Sequence, residues 1–194
     1  MSNQTIEENK KFKFFISKAK ENLKMIWITA ITITVCLLLI VFFYKRNDHQ
    51  NNLLSEKFNN AKILVQNEKN EDALIILNEI IEKKNKFYSP ISLYFAIENN
   101  LINDPETVVK LFDKVISNRK IDKENKNLIK IKKAIFLINH NEEQKVLEIL
   151  NPIINSQSIW RNDAAKLLGD YFNYKGEDIK ASEYYKLLNT KSTK

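Results

Sequence analysis

Hydrophobic and polar positions divide the chain into two patterns. From Met25 to Tyr44 (MIWITAITITVCLLLIVFFY) twenty consecutive residues carry no charge, no glycine and no proline. At 1.5 Å rise per residue such a run predicts a helix about 30 Å long, the thickness of a bilayer's hydrocarbon core. From residue 45 onward apolar residues recur at helical rather than strand spacing, interleaved with charged ones. The expected architecture is all-α: one N-terminal transmembrane helix over 25–44, then an array of helices.

Leu, Ile, Val and Phe each favour insertion by roughly 0.3–0.6 kcal/mol near a bilayer's centre. Thr29, Thr32 and Thr34 subtract little from that, and Trp27 and Tyr44 suit the two interfacial belts. A cleaved signal peptide is not expected. The segment before the run is long, the run exceeds an h-region, and Phe42 to Arg46 offers no small pair for cleavage. Cys36 lies inside the run without small residues before it, so a lipoprotein signal is not expected either. Lys10, Lys11, Lys13, Lys18, Lys20 and Lys24 precede the run, while Lys45, Arg46 and Lys57 follow it. The positive-inside rule then predicts a basic cytoplasmic tail over 1–24, with the remainder on the other side. Phe12, Ile16, Ala19 and Leu23 recur at helical spacing in that tail. It either lies on the anionic leaflet or extends the anchor helix. Residues 45–50 read as a juxtamembrane linker and 190–194 as a disordered tail.

Between them, over 51–189, one pattern returns four times. Positions 0, +1, +4, +7 and +8 read Ala73, Leu74, Leu77, Ile80, Ile81; then Val108, Val109, Phe112, Val115, Ile116; then Val146, Leu147, Leu150, Ile153, Ile154. The last copy keeps Ala181, Tyr185 and Leu188, and the intervals are 35, 38 and 35 residues. Such a period signals paired helices, none able to bury its apolar face alone. Units are expected at about 51–86, 89–120, 122–157 and 159–189. Small residues stand twelve positions before each start (Ala61, Ala96, Ala134, Gly169), where they let a partner helix approach. Five positions before stand Glu68, Asn103, Asn141 and Gly176, the last three suited to a left-handed turn. Packing between helices is thereby assigned to Ala61, Ala73, Ala96, Val108, Ala134, Val146, Gly169, Gly176, Ala181 and Tyr185. Ser89-Pro90 and Asp104-Pro105-Glu106 each place a capping residue before a first-turn proline.

The stretch Ala165 to Leu188 resembles the tetratricopeptide repeat, with Leu168, Gly169, Phe172, Gly176, Ala181, Tyr185 and Leu188 on the motif's spacing. Earlier copies depart from it, with Val108 and Val146 in place of alanine and no glycine at the turn. The resemblance covers about 51–189 and implies a solenoid of about four helix-turn-helix repeats. The whole layout of basic tail, single anchor and outward repeat array, with Leu-Leu-Gly-Asp-Tyr-Phe at 167–172, also resembles the bacterial ancillary SecYEG translocon subunit family. That resemblance implies a single-pass protein of the bacterial inner membrane with a periplasmic C-terminal domain. It would be an accessory subunit of the Sec export channel that contacts translocon subunits, periplasmic chaperones or unfolded chains. The alternative is an envelope scaffold for cell division or respiratory-complex assembly, unconnected to the translocon.

Composition narrows the chemistry. Among 194 residues there are 2 glycines, 3 prolines and 1 cysteine. Phosphate-cradling glycine loops, disulfide frameworks and thiolate clusters are excluded, and so is a turn-rich all-β chain. His49 and His140 stand far apart, and no His-x-x-x-His, Cys-x-x-Cys or Gly-x-Ser-x-Gly spacing occurs. No metal, cofactor or catalytic residue is expected, and the chain is read as not an enzyme. The carboxylate pairs Glu71-Asp72, Glu142-Glu143 and Glu177-Asp178 are expected at helix N-termini, where they favour the helix dipole. The net charge of +7 raises nucleic acid as a partner. Lys83-Lys84-Lys86 and Lys130-Lys132-Lys133 have nearby Glu79, Glu82 and Glu124 and no stacking aromatics. They read as solvated helix faces, which an anionic lipid surface would suit.

In that register the first helix of each pair lines a concave face. Phe58 and Val65, then Leu93, Ile97 and Leu101, then Leu128, Ile131, Ile135 and Ile138 make its apolar part. Asp163, Lys166, Asp170, Asn173 and Tyr174 make a polar end. Either this groove takes an amphipathic helix or an unfolded apolar segment, or the superhelix closes on itself, or a second copy of the chain fills it.

Overall fold

A helix persists where nothing in the sequence ends it. Residues 45–52 (KRNDHQNN) contain no glycine or proline. In the computed structural model, which describes residues 13, 14, 16, 17 and 23–189, helix α1 runs unbroken over Leu23–Gln66. The linker expected at 45–50 is therefore helical. Lys10, Lys11, Lys18, Lys20, Phe12, Ala19 and the tail expected at 190–194 lie outside the described residues.

Seven further helices follow: α2 Asn70–Glu82, α3 Tyr88–Glu98, α4 Pro105–Ile116, α5 Lys123–Ile138, α6 Glu143–Ile154, α7 Arg161–Tyr174 and α8 Asp178–Asn189. No strand occurs among the described residues. The chain forms two units, Met1–Leu53 and Leu54–Lys194.

The first unit holds the apolar run, and its large side chains, among them Ile33, Leu37, Leu38, Phe42 and Phe43, are exposed. This helix is long and apolar enough to cross a membrane. The hydroxyls of Thr32 and Thr34 donate to the carbonyls of Ile28 and Ala30, at 2.8 and 2.9 Å. Polar groups satisfied within their own helix cost little in hydrocarbon.

In the second unit each helix from α2 onward packs on its neighbours in chain order, up to α7 on α8. Three clusters form the core. Ala61, Ala73, Leu77, Ala96 and Leu101 make the first. Ile81, Leu93, Val108, Phe112, Val115, Ile121 and Ile129 make the second. The third, around α5 to α8, gathers Ala134, Leu137, Val146, Leu150, Ile153, Leu168, Phe172 and Ala181. Fully burying one of the larger of these side chains contributes about 1.5–3 kcal/mol. Small residues sit where helices come closest: Ala61, Ala73, Ala96, Ala134 and Val146 are fully enclosed, and Val108 and Ala181 nearly so. Gly169 is buried against the half-buried ring of Tyr185. A Cβ on Gly169 would lie 2.5 Å from that ring, so no larger residue fits without displacing it.

Four turns close these helices into hairpins, and all four end the first helix in the same way. Glu68, Asn100, Asn141 and Gly176 adopt left-handed backbone. The next residue's N–H then reaches back five residues: Lys69 to Leu64, Leu101 to Ala96, Glu142 to Leu137 and Glu177 to Phe172. This 6→1 bond satisfies a helix-end carbonyl that would otherwise be orphaned. The second turn differs from expectation, because Asn100 rather than Asn103 is left-handed. Helix α3 ends at Glu98, while Asp104 caps α4 ahead of Pro105, so this connection is longer than the others. Asp104 does cap as expected, accepting from the N–H groups of Glu106 and Thr107 at 3.2 and 2.9 Å. Ser89 does not. Its hydroxyl is buried and donates to the carbonyls of Ile80 and Ile81, at 3.0 and 3.2 Å. The start of α3 is capped by Asn85 instead, whose Oδ1 accepts from the N–H groups of Phe87 and Tyr88.

Candidate functional site

Helix α3 is apolar on nearly every side, with Leu93, Ala96, Ser89 and Ser92 turned into the core. Its remaining apolar residues need a second neighbour, and α5 supplies one. Between the two lies a cleft of about 350 Å³ lined by Phe87, Pro90, Ile91 and Tyr94 on one side. Leu128, Ile129 and Ile121 line the other, with Lys86, Asp122 and Asn125 at the rim. Its size is at the lower end of ligand clefts, about 300–1,000 Å³. Phe87 is exposed and meets Tyr88 edge-on at 5.1 Å. The Lys132 ammonium sits 4.8 Å over the Tyr94 ring. Burial pushes the Tyr94 phenol up to about 12, so it stays a neutral hydroxyl throughout the neutral range. The cleft thus offers apolar walls, one hydroxyl and a cationic corner. It has the chemistry to take apolar side chains of a peptide and hydrogen-bond its backbone.

Residues expected on a concave face fall into several different environments. Leu93, Leu101 and Ile131 belong to the core clusters and are not available to a partner. Phe58, Val65, Ile97 and Ile138 are half-buried against those clusters. Phe58 also contacts Phe95 edge-on at 5.6 Å and Tyr88 at 6.4 Å. Leu128 lines the cleft and Ile135 is exposed. At the polar end Asp163, Asn173 and Tyr174 are exposed. Lys166 and Asp170 are instead engaged with each other, at 2.6 Å. Asp170 also accepts the Tyr185 hydroxyl at 2.8 Å, fixing the ring that covers Gly169. The ammonium and the hydroxyl both hold the Asp170 carboxyl below its ordinary range.

Phe87, Pro90, Ile91, Tyr94 and Asn125 were not singled out by the sequence pattern. A helix apolar all round gives no stripe to choose, and the 93/97/101 series points one step around the helix from the cleft wall at 91/94. The acidic pairs fall where expected. Glu71 and Asp72 stand in the first turn of α2, Glu143 in that of α6 and Asp178 in that of α8. Glu143 also bonds Lys175 and, at 3.2 Å, the Tyr171 hydroxyl. Among the described residues no group of three or more His, Cys, Asp or Glu could hold a metal ion. The chain matches no protein-family model, no curated protein and no solved structure.

Proposed function

We propose that this chain is a membrane-anchored protein-binding module built from tetratricopeptide-like hairpins. It faces the periplasm and serves as an accessory subunit of the Sec export channel. Holding chaperones or emerging chains beside the channel raises their effective concentration there. The observation that carries the binding role is the apolar cleft between α3 and α5, on a unit continuous in sequence with a membrane-length apolar helix.

Support for the repeat reading comes from bonds that join equivalent places of successive hairpins. Glu82 pairs with Lys114 and Glu143 with Lys175, each across 32 residues. The Asn118 amide donates to the Lys84 carbonyl across 34, Ser158 to Glu124 across 34, and Tyr184 to Asn151 across 33. The export role rests on the resemblance in layout.

Mild-detergent extraction of the tagged chain from its native membrane, followed by mass spectrometry, is the test. Stoichiometric translocon subunits and periplasmic chaperones are expected, and Tyr94→Ala with Leu128→Asp should deplete the chaperones while sparing the subunits. Division or respiratory assembly factors without translocon subunits would replace the export reading by an envelope scaffold.

A further inference from the structure

We propose that the edge of the second unit formed by its inter-hairpin loops docks on anionic lipid headgroups. The inference rests on the reading that the 25–44 run lies in a bilayer. Loops 83–87 and 117–122 are held side by side. The Asn118 side chain donates to the Lys84 carbonyl at 2.9 Å and accepts from the Lys120 N–H at 3.0 Å. That bond brings Lys83, Lys84 and Lys86 together with Arg119, Lys120 and Lys123. The carboxylates expected to neutralise such lysines each have a nearer partner elsewhere, although Lys83 still acts on Glu79 through space. Glu79 pairs with Lys57, Glu82 with Lys114, and Asp122 caps its own helix through the Asn125 N–H at 2.9 Å. Glu124 takes the Ser158 hydroxyl at 2.5 Å and the Ile159 N–H at 3.1 Å. None of the six cations is in an ion pair among the described residues.

Two apolar side chains project from the same edge, Phe87 at 60% and Ile159 at 73% exposure. Cations around exposed apolar tips suit the headgroup boundary, where each finds its own partner. The opposite edge has no such cluster of cations outside ion pairs among the described residues. It carries the hairpin turns with Glu71, Asp72, Glu142, Glu143, Glu177 and Asp178, about 20 Å away along the thirteen residues of α2. An anionic surface therefore favours the basic edge of this unit over the opposite one, whose Glu142, Glu143 and Glu177 are paired with Lys145, Lys175 and Lys180. The chain also enters the unit on the basic edge. Lys57 bonds Glu79 near the end of α2, and Phe58 touches Tyr88 at the start of α3. In sequence, residues 45–56 lie between Lys57 and the end of the apolar run.

The full chain, inserted in nanodiscs, tests the proposal by amide hydrogen exchange. Discs of phosphatidylcholine alone are compared with discs containing about one-third phosphatidylglycerol. Exchange at 83–88, 117–123 and 156–160 should slow in the anionic discs, while the turns at 67–69, 139–142 and 175–177 stay unchanged. About 1 M salt, with a Debye length near 3 Å, should abolish the difference. The variant K83Q/K84Q/K86Q should lower the docked-to-free ratio on the order of a hundredfold. These side chains are exposed, and unchanged exchange within α2 and α4 would verify the variant's fold. Equal exchange in the two discs would overturn the proposal. So would protection by soluble polyglutamate but not by phosphatidylglycerol, which would assign the edge to an acidic protein. Failure of the chain to insert would remove the anchor reading and this one with it.

Discussion

Residues 25–44 and 54–66 belong to one helix and differ in how their apolar side chains are distributed around it. In the first stretch Ile, Leu, Val and Phe face every direction and all the large ones described are exposed. In the second, Leu54 and Ala61 are buried and Phe58, Leu64 and Val65 half-buried, while Asn59, Asn60 and Lys62 remain outside. The second stretch has found its apolar partner within its own unit, against Ala73 and Leu77. An all-round pattern is not satisfied by a single packed face, which leaves the others in water. It asks for apolar surroundings on every side, as α3 finds between its neighbouring helices, and the 25–44 run is also long enough to find them across a bilayer. Both stretches draw on Leu, Ile, Val and Phe, but in 54–66 Glu56, Lys57, Asn59, Asn60 and Lys62 confine most of them to one face, and that angular restriction is what lets a single packed neighbour bury them.

Substitutions that act on one region and spare the other test this division. Phe112→Ala, in the centre of the second cluster, should cost about 3–5 kcal/mol of unit-two stability and leave membrane association intact. Calorimetry and carbonate extraction of the same preparation read the two quantities. Leu38→Lys should do the opposite, opposing insertion by about 3 kcal/mol while the hairpins melt at an unchanged temperature. A lowered melting temperature in that variant would mean that the apolar run is packed on protein after all. Within the hairpins, Gly169→Ala should cost about 1–3 kcal/mol, because the added methyl meets the Tyr185 ring. Tyr185→Leu in the same chain should recover part of that loss, measurable as a double-mutant cycle.

The smallest effect concerns acid. The hydrogen bond from Lys175, aided by that from the Tyr171 hydroxyl, holds Glu143 below its ordinary value of 4.5, against burial. A carboxylate depressed on folding contributes stability above its unfolded pKa and loses it as pH falls through the folded one. Melting temperature should therefore drop on acidification below about pH 4.5 by less in Glu143→Gln than in the parent.

How much of this was legible depends on how singular each signal was. Gly176 and Asn141 are the residues that best tolerate left-handed backbone, and both turns fall on them. The second turn offered Asn99, Asn100 and Asn103 within five residues, and spacing alone selected the wrong one. Only the end of α3 at Glu98 and the cap at Asp104 fix the choice. Glu68 and Lys84 adopt left-handed backbone with no compositional hint. The cleft wall stayed hidden because α3 lacks a polar face, whereas α4, with Lys110 and Asp113 opposite Val108 and Phe112, declared its buried stripe plainly. The partners of the lysines are hidden in the sequence for a different reason. Proximity in sequence does not set ion pairing here, because Glu79 and Glu82 pair across helices with Lys57 and Lys114.

The bonds between successive hairpins, spanning 31 to 35 residues, also bear on how the unit comes into being. Low contact order favours rapid folding, since little loop-closure entropy is spent before each contact forms. A hairpin needs only its predecessor as a template. Assembly can therefore follow the order of synthesis, with residues 54–82 seeding a structure that 88–116 and then 123–154 extend. The hairpin 161–189 packs on after them, and until then the apolar face of α5 and α6 stands open to solvent.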